Sequence, residues 1–115
     1  MTTRRSPTAC SRSTLASSSV DWQLRIYEIE PGQIETWIEE WREHVVPLRR
    51  SLGFRVLGGW VDGTTFVWLL GYDGEDGFAA ADARYYASAE RRSVEPDPAR
   101  HIVSSESRML REVPQ

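Results

Sequence analysis

The chain has 115 residues and contains no lysine, since all 14 of its basic residues are arginine. Schiff-base catalysis, lysine-bound pyridoxal phosphate and a Walker-type phosphate loop each require a lysine, so the composition excludes these three classes. Cysteine is almost absent as well. Because Cys10 stands alone, the chain forms no internal disulfide and needs no oxidising compartment, and we expect a cytoplasmic protein.

Long hydrophobic runs and an excess of basic charge are also missing. No apolar run approaches the ~18 residues of a membrane span, so we expect no membrane insertion. All 17 acidic residues but only 11 of the arginines follow residue 20, which gives that part a net charge near −6. We therefore expect no nucleic-acid partner. Cys10, His44 and His101 are too scattered to indicate a metal site, and we expect no cofactor.

Two regions differ in composition. Residues 1–20 are rich in arginine, serine and threonine and carry no acidic residue. We expect this segment to be a disordered tail, because it has little apolar surface to bury. Residues 21–113 hold most of the large aromatic side chains and are long enough for one domain with one core.

The apolar pattern of the domain predicts six elements. They are a strand at 22–29, a helix at 34–52, strands at 54–61 and 64–72, a helix at 78–87 and a last strand at 102–113. Asp62-Gly63 predicts the hairpin turn between the middle strands. This β-α-β-β-α-β order predicts the α+β class, with a ferredoxin-like four-stranded antiparallel sheet and both helices on one face.

The first helix has a complete apolar stripe and an internal proline. Seven residues form the stripe at helical spacing: Ile34, Trp37, Ile38, Trp41, Val45, Leu48 and Leu52. Arg49 falls on the opposite, solvent-facing side of this pattern. Pro47 lacks the N–H that would bond the carbonyl of Glu43, so we expect a change of helix shape there.

The sheet has more apolar surface than two helices cover. We expect Leu24 and Ile26 to face the helices, and Arg25 and Tyr27 to lie on the other face. The returning strand places Trp68 in a large aromatic face that would then be uncovered. Because such a patch exceeds what a monomer normally exposes, we expect a homodimer whose sheets pack face to face through these aromatic residues.

Histidine 44 is the candidate catalytic residue. It lies about 80° from the centre of the stripe, on the edge of the helix. There it either packs beside a carboxylate or lines a cleft as a general base. Both alternatives stay open at this stage.

Arg25 and several aromatic residues are the candidate ligand-binding residues. A buried arginine needs a partner, and Glu28, Glu106 or the acidic group of a ligand are the alternatives. Tyr27 lies beside it. Four further aromatic residues either belong to the core or line a pocket for a hydrophobic or aromatic small molecule: Trp60, Trp68, Tyr72 and Tyr85.

Six stretches of the chain resemble the NIPSNAP family, a branch of the dimeric α/β-barrel proteins. They are LRIYEIEPG (24–32), WREHVVPL (41–48), GFRVLGGW (53–60), FVWLLGYDG (66–74), AADARYYAS (80–88) and SRML (107–110). The resemblance implies a ferredoxin-like protomer whose sheet pairs with a partner's to close a barrel. Related families include monooxygenases, haem-degrading enzymes and isomerases, but a shared fold does not transfer an activity.

Three functions are therefore considered. The first is a small-ligand-binding or interaction module without catalysis, because the sequence has no recognisable catalytic constellation. The second is a metal-independent enzyme, a monooxygenase or isomerase acting on a hydrophobic substrate, with His44, Arg25 or a tyrosine at its cavity. The third is a haem-handling protein, in which His44 or His101 would reach the iron.

Overall fold

The computed structural model describes residues 20–115, so the expectation of a disordered 1–20 tail lies almost wholly outside the described residues. The strands are β1 (Asp21–Ile29), β2 (Arg55–Asp62), β3 (Thr65–Tyr72) and β4 (Ile102–Leu110). The helices are α1 (Ile34–Glu40), a π-helical segment (Trp41–Val45), α2 (Val46–Ser51), α3 (Phe78–Ala87), α4 (Ala89–Arg92) and a 3₁₀ turn (Pro98–His101). Among these helices, each is too short or too polar to cross a bilayer.

The four strands form one antiparallel sheet in the order β2-β3-β1-β4. This confirms the ferredoxin-like α+β fold predicted from the element order. The hairpin between β2 and β3 differs in detail from the prediction. Asp62 pairs with Thr65, so the two-residue turn is Gly63-Thr64, one position later than expected. Gly63 has φ of +62°, a conformation that glycine adopts without strain.

Aromatic side chains form the contact between the helices and the sheet. Tyr27 meets Trp37 edge to face, with ring centroids 5.6 Å apart. Trp41 makes the same kind of contact with Phe66 at 5.0 Å and with Trp68 at 5.8 Å. Such edge-to-face pairs stabilise the core beyond the area that they bury.

The predicted orientation of the sheet was therefore wrong. Arg25 and Tyr27 face the helices, and Trp68 is a core residue with only 1% of its surface exposed. Leu24 and Ile26 lie on the opposite face, which the helices leave uncovered. The two indole rings of the first helix bury more surface against the aromatic face, and alternation along each strand then fixes every other side chain.

The uncovered side of the sheet, here named the open face, is still apolar. Its apolar residues include Trp22, Leu24, Ile26, Leu57, Trp60, Val67 and Leu69, and it also carries Glu28, Glu106 and Arg108. Trp60 and Leu57 have 57% and 60% of their surface exposed. Trp22 packs directly on Gly71, where an added Cβ would lie 2.5 Å from the indole ring. One face of the sheet is thus uncovered, as expected, but it is the face with the smaller side chains and not the aromatic one.

Pro47 interrupts the first helix in a specific way. The N–H of Val46 donates to the carbonyl of Trp41, five residues back, which makes the turn before the proline π-helical. A wider turn accommodates the ring of Pro47 and the missing hydrogen bond to Glu43. Because this turn contains one extra residue, the side chains of α2 are rotated about the helix axis relative to those of a regular helix.

That rotation turns Arg49 into the core. Its exposed fraction is 1%, so the prediction that Arg49 faces solvent was wrong. A regular period of 100° per residue already places Arg49 about 60–70° from the centre of the stripe, so assigning it to the opposite face was the error, and the wider turn before Pro47 brings it further towards the core. Gly53 follows the helix end with φ of +95°, and the Ser88 hydroxyl accepts from the N–H of Arg91 at 3.1 Å to cap α4.

Trp41 is expected to be a major source of stability, because its ring contacts two aromatic residues of β3. Trp41→Ala should lower the free energy of unfolding by roughly 3–5 kcal/mol in chemical denaturation. Trp41→Phe is the matched control and should lose clearly less. A loss below about 1 kcal/mol for the alanine variant would mean that the ring is not part of the core.

Glu40 links the first helix to the chain before β4. Its carboxylate accepts from Arg100 at 2.8 Å and lies 3.3 Å from His101. The hydrogen bond from Arg100 holds the pKa of Glu40 below its ordinary value. A lowered folded-state pKa stabilises the fold fully above the unfolded pKa of about 4.3, and this contribution is lost as the pH falls through the folded value.

Glu40→Gln should therefore weaken the acid dependence of stability. Its melting temperature should fall less than that of the wild type as the pH is lowered through about 4. Glu39→Gln, at the exposed neighbouring position, should keep the wild-type profile. Identical profiles for the wild type and Glu40→Gln would show that this pair does not contribute to acid unfolding.

Candidate functional site

The structure does not gather the four predicted aromatic residues into one pocket. Trp68, Tyr72 and Tyr85 are buried in the core on the helix side of the sheet. Trp60 lies on the open face, opposite Val67 of β3. Only Trp68 and Tyr85 contribute to the wall of the same cavity.

His44 lies on the surface of the π-helical segment. Its side chain is 44% exposed, and its Nε2 lies 3.6 Å from a carboxylate oxygen of Glu43. It lines none of the four cavities described below. Pro47 is exposed as well, so these two residues are not brought together with Arg25.

Arg25, by contrast, is buried on the helix side of β1, and each of its three side-chain nitrogens makes a hydrogen bond. Its Nη2 donates to Oδ1 of Asp82 in α3 at 2.9 Å. Its Nη1 donates to the Tyr86 hydroxyl at 3.1 Å and faces the Tyr27 hydroxyl at 3.4 Å. Its Nε donates to the side chain of Gln23 at 2.6 Å.

The predicted acidic partners of Arg25 are occupied elsewhere. Glu28 accepts from Thr64 and Thr65 at the end of the hairpin. Glu106 accepts from Nε of Arg108 at 2.7 Å. The prediction of Glu28 or Glu106 as protein partner was therefore wrong, since the orientation of the sheet turns Arg25 towards α3.

Asp82 joins Arg25 to a second buried arginine. Nη1 of Arg49 donates to the same Oδ1 atom at 2.8 Å, so two guanidinium groups share one carboxylate. Arg49 also stacks on the ring of Tyr85, 3.6 Å from its centroid. Within residues 20–115, Nε of Arg49 is buried and has no acceptor. Arg25 and Arg49 carry two positive charges and Asp82 carries one negative charge, so the cluster has a net charge of +1.

The surroundings keep these groups in fixed ionisation states. Burial by itself lowers the pKa of Arg25, but Tyr27, Tyr86 and Asp82 together raise it above the ordinary arginine value. Burial raises the pKa of Tyr85, against the opposing effect of Arg49 and Arg91. The arginine is therefore cationic and the tyrosine is neutral throughout the physiological range.

A cavity of about 180 Å³, here named the tyrosine cleft, opens beside Arg25. Its walls are Arg25, Tyr27, Tyr86, Ile102, Ser105, Glu106 and Ser107. Ser105 and Ser107 of β4 are paired with Tyr27 and Arg25 of β1, so their hydroxyls project on the same side of the sheet.

Three further cavities surround the core. An inner pocket of about 50 Å³ shares Tyr27, Tyr86 and Ile102 with the tyrosine cleft and contains Arg49 and Arg91. An apolar depression of about 290 Å³ lies on the open face around Trp22. A wide, solvent-open depression of about 630 Å³ runs from Asp21 to α3. The described part of the chain holds no group of three metal-ligating side chains.

Sequence reasoning missed most of the cluster around Arg25. Asp82 and Tyr86 are four residues apart on α3, and this spacing is the one signal that places both on the same helix face. Arg49 was missed because it was assigned to the opposite, solvent-facing side of the first helix. Ser105 and Ser107 carry no distinguishing signal, since exposed serines on an edge strand are common.

Comparison with known proteins identifies relatives of the whole domain. The family model described as NIPSNAP matches residues 22–115. A search of curated proteins finds no match. A NIPSNAP family protein from Agrobacterium tumefaciens is similar at 22% identity with a TM-score of 0.72, over 83% of this chain and 94% of that one. A NIPSNAP domain protein from Burkholderia xenovorans has 18% identity and a TM-score of 0.69, over 81% and 94%.

An antibiotic biosynthesis monooxygenase shares the fold as well. It has 18% identity and a TM-score of 0.61, over 82% of this chain and 99% of its own. At such identities the likeness shows the fold alone. The family model, in contrast, spans most of the sequence and agrees with the six stretches that first indicated the family. The chain belongs to the NIPSNAP family.

Proposed function

We propose that this chain is a homodimeric binding module that holds a small molecule with an apolar body in the tyrosine cleft. The observation that carries the proposal is the cleft itself. It combines aromatic and aliphatic walls, Tyr27 and Ile102, with hydroxyl and guanidinium donors on one side. Ligand sites in proteins combine apolar surface with placed polar groups that orient the ligand, and this cleft has both, with the polar groups predominating.

The size of the cleft favours binding of a small ligand over catalysis on a large one. Its volume of about 180 Å³ is below the ~300 Å³ at which cavities for drug-sized substrates begin. His44, the residue considered as a general base, lies on a different part of the surface. The tyrosine hydroxyls and Arg25 are suited to hold and orient a molecule through hydrogen bonds.

The second half of the proposal is that the open face pairs with the open face of another copy. Apolar residues extend across three strands there, from Trp22 of β1 to Trp60 of β2 and Leu69 of β3. Contiguous apolar patches of this kind usually mark an interface. A twofold axis would bring the same residues of both copies together, so that one contact buries both apolar patches.

Native mass spectrometry of the purified protein tests the binding proposal and the dimer together. We expect the mass of a dimer and an added mass of a small molecule that is released on denaturation. A protein that retains nothing and binds none of a set of small aromatic fragments would contradict the binding module. A monomeric mass would contradict the dimer.

Trp60 and Val61 provide a matched test of the interface. They are neighbours on β2 with 57% and 50% of their surface exposed, but their side chains point to opposite faces of the sheet. Trp60→Glu should shift the protein to a monomer in light scattering, because it places a charge in the apolar contact. Val61→Glu should remain dimeric. Equal behaviour of the two variants would show that the open face is not the interface.

Filling the cleft provides a test of the binding site. Ser105→Phe places a ring on the cleft side of β4, whereas Ser104 is paired with Glu28 and lies on the other side. Ser105→Phe should abolish the retained mass in native spectra and leave the fold intact by circular dichroism. Ser104→Phe should retain the bound molecule. Loss of ligand from both variants, or from neither, would place the bound molecule elsewhere.

A further inference from the structure

We infer that the ligand of the tyrosine cleft carries a carboxylate, which Arg25 binds together with the hydroxyls of Ser105, Ser107 and Tyr86. This inference rests on the proposed binding function and specifies the chemical class of the ligand. Its three supports are the charge balance of the cleft, the direction of its unused donors and its size.

The charge balance leaves one cation without a partner. Arg25 and Arg49 both donate to Oδ1 of Asp82, so one negative charge faces two positive ones. Glu106 is the other acidic residue that lines the cleft, and its carboxylate accepts from Arg108. Glu106 is also paired with Ile26, a residue of the open face, so its side chain belongs to the far side of the sheet.

An uncompensated buried cation is costly, and a bound anion removes that cost. Arg25 is 7% exposed and Arg49 is 1% exposed, so water solvates neither guanidinium well. The inner pocket adds Arg91, whose charge is already matched by Asp97 at 2.9 Å. The net excess is therefore a single positive charge, which fits a monoanion better than a dianion such as phosphate.

Several hydrogen-bond donors of the residues that line the cleft are unused. Nη2 of Arg25 donates one N–H to Asp82, and its second N–H has no acceptor among the described residues. The Tyr86 oxygen accepts from Arg25, which leaves its own proton available to donate. In the described part of the chain, the hydroxyls of Ser105 and Ser107 have no hydrogen-bond partner, and they flank Arg25 on β4.

The walls and volume set the rest of the ligand. A carboxylate suits the one free N–H of Arg25 together with the nearby hydroxyls, because its two oxygens accept several donors and the bond from arginine is charge-assisted. Tyr27 and Ile102 provide apolar surface for a small body attached to it. A compact aromatic or branched aliphatic monocarboxylate fills a cavity of about 180 Å³. Benzoate is the simplest probe of this class, and benzamide is its neutral counterpart of nearly the same shape.

The experiment compares these two probes by NMR titration of the dimeric full-length protein at neutral pH. We expect benzoate to bind at least about tenfold more tightly than benzamide, because a bond to a charged group is worth more than a neutral one. Arg25→Met should reduce benzoate binding to the level of benzamide. Arg42→Met, which removes an equal charge from an exposed site on the first helix, should leave both affinities unchanged.

A second variant tests the same contact in case Arg25→Met does not fold. Asp82 keeps Arg49 as its partner in that variant, so we expect it to fold. If it does not, the double variant Ser105→Ala and Ser107→Ala changes two exposed side chains and tests the same contact. It should weaken benzoate several-fold, by about 0.5–1.5 kcal/mol per hydroxyl, and benzamide less.

The outcomes separate this inference from the proposed function. Equal affinities for benzoate and benzamide would overturn the carboxylate and leave the binding module in place. No binding of benzoate up to its solubility would also overturn it, while a neutral molecule retained in native spectra would still support the module. Loss of retained mass and of benzoate binding in Ser105→Phe alone would support both.

Discussion

A single missing backbone donor, the N–H of Pro47, sets the geometry of the candidate site. Because Pro47 does not bond the carbonyl of Glu43, the turn before it widens and Val46 bonds five residues back. The helix that follows is rotated relative to a continuous one. Arg49 therefore enters the core and reaches Asp82, which in turn holds Arg25 beside the tyrosine cleft.

The buried ion cluster constrains the fold through its asymmetry. Two guanidinium groups on one carboxylate tolerate the loss of one arginine better than the loss of Asp82, which would leave two like charges unpaired in the core. The aromatic rings around Arg49 lessen the burial cost by contacting its face. The same arrangement places a cation next to the tyrosine cleft, so the proposed binding would depend on the same three side chains as stability.

The sequence was sufficient for the fold but not for the orientation of its surfaces. Element order and turn residues were enough to predict the sheet topology, because Gly53, Ser88 and the Gly63 hairpin act locally. The choice between Trp68 and Leu69 as core residues was not local. Both faces of β3 are apolar, and alternation alone leaves two equivalent solutions, which only the bulk of Trp37 and Trp41 decides. Asp82 was unpredictable because its two partners come from elements distant in the sequence, Arg25 from β1 and Arg49 from α2.

The side chains of β4 alternate between the cleft side and the open face of the sheet, so the strand contributes to both surfaces. Ser105 and Ser107 point to the cleft side of the sheet, while Glu106 between them points to the open face. β4 is an edge strand with β1 as its only neighbour, so a bound molecule that fixes its position also fixes the surface presented on the reverse side. Linkage is reciprocal. If a ligand in the cleft strengthens association across the open face by some factor, association strengthens ligand binding by the same factor. If the proposed cleft and the proposed interface are both occupied, this nine-residue strand would couple them through the thickness of a single sheet.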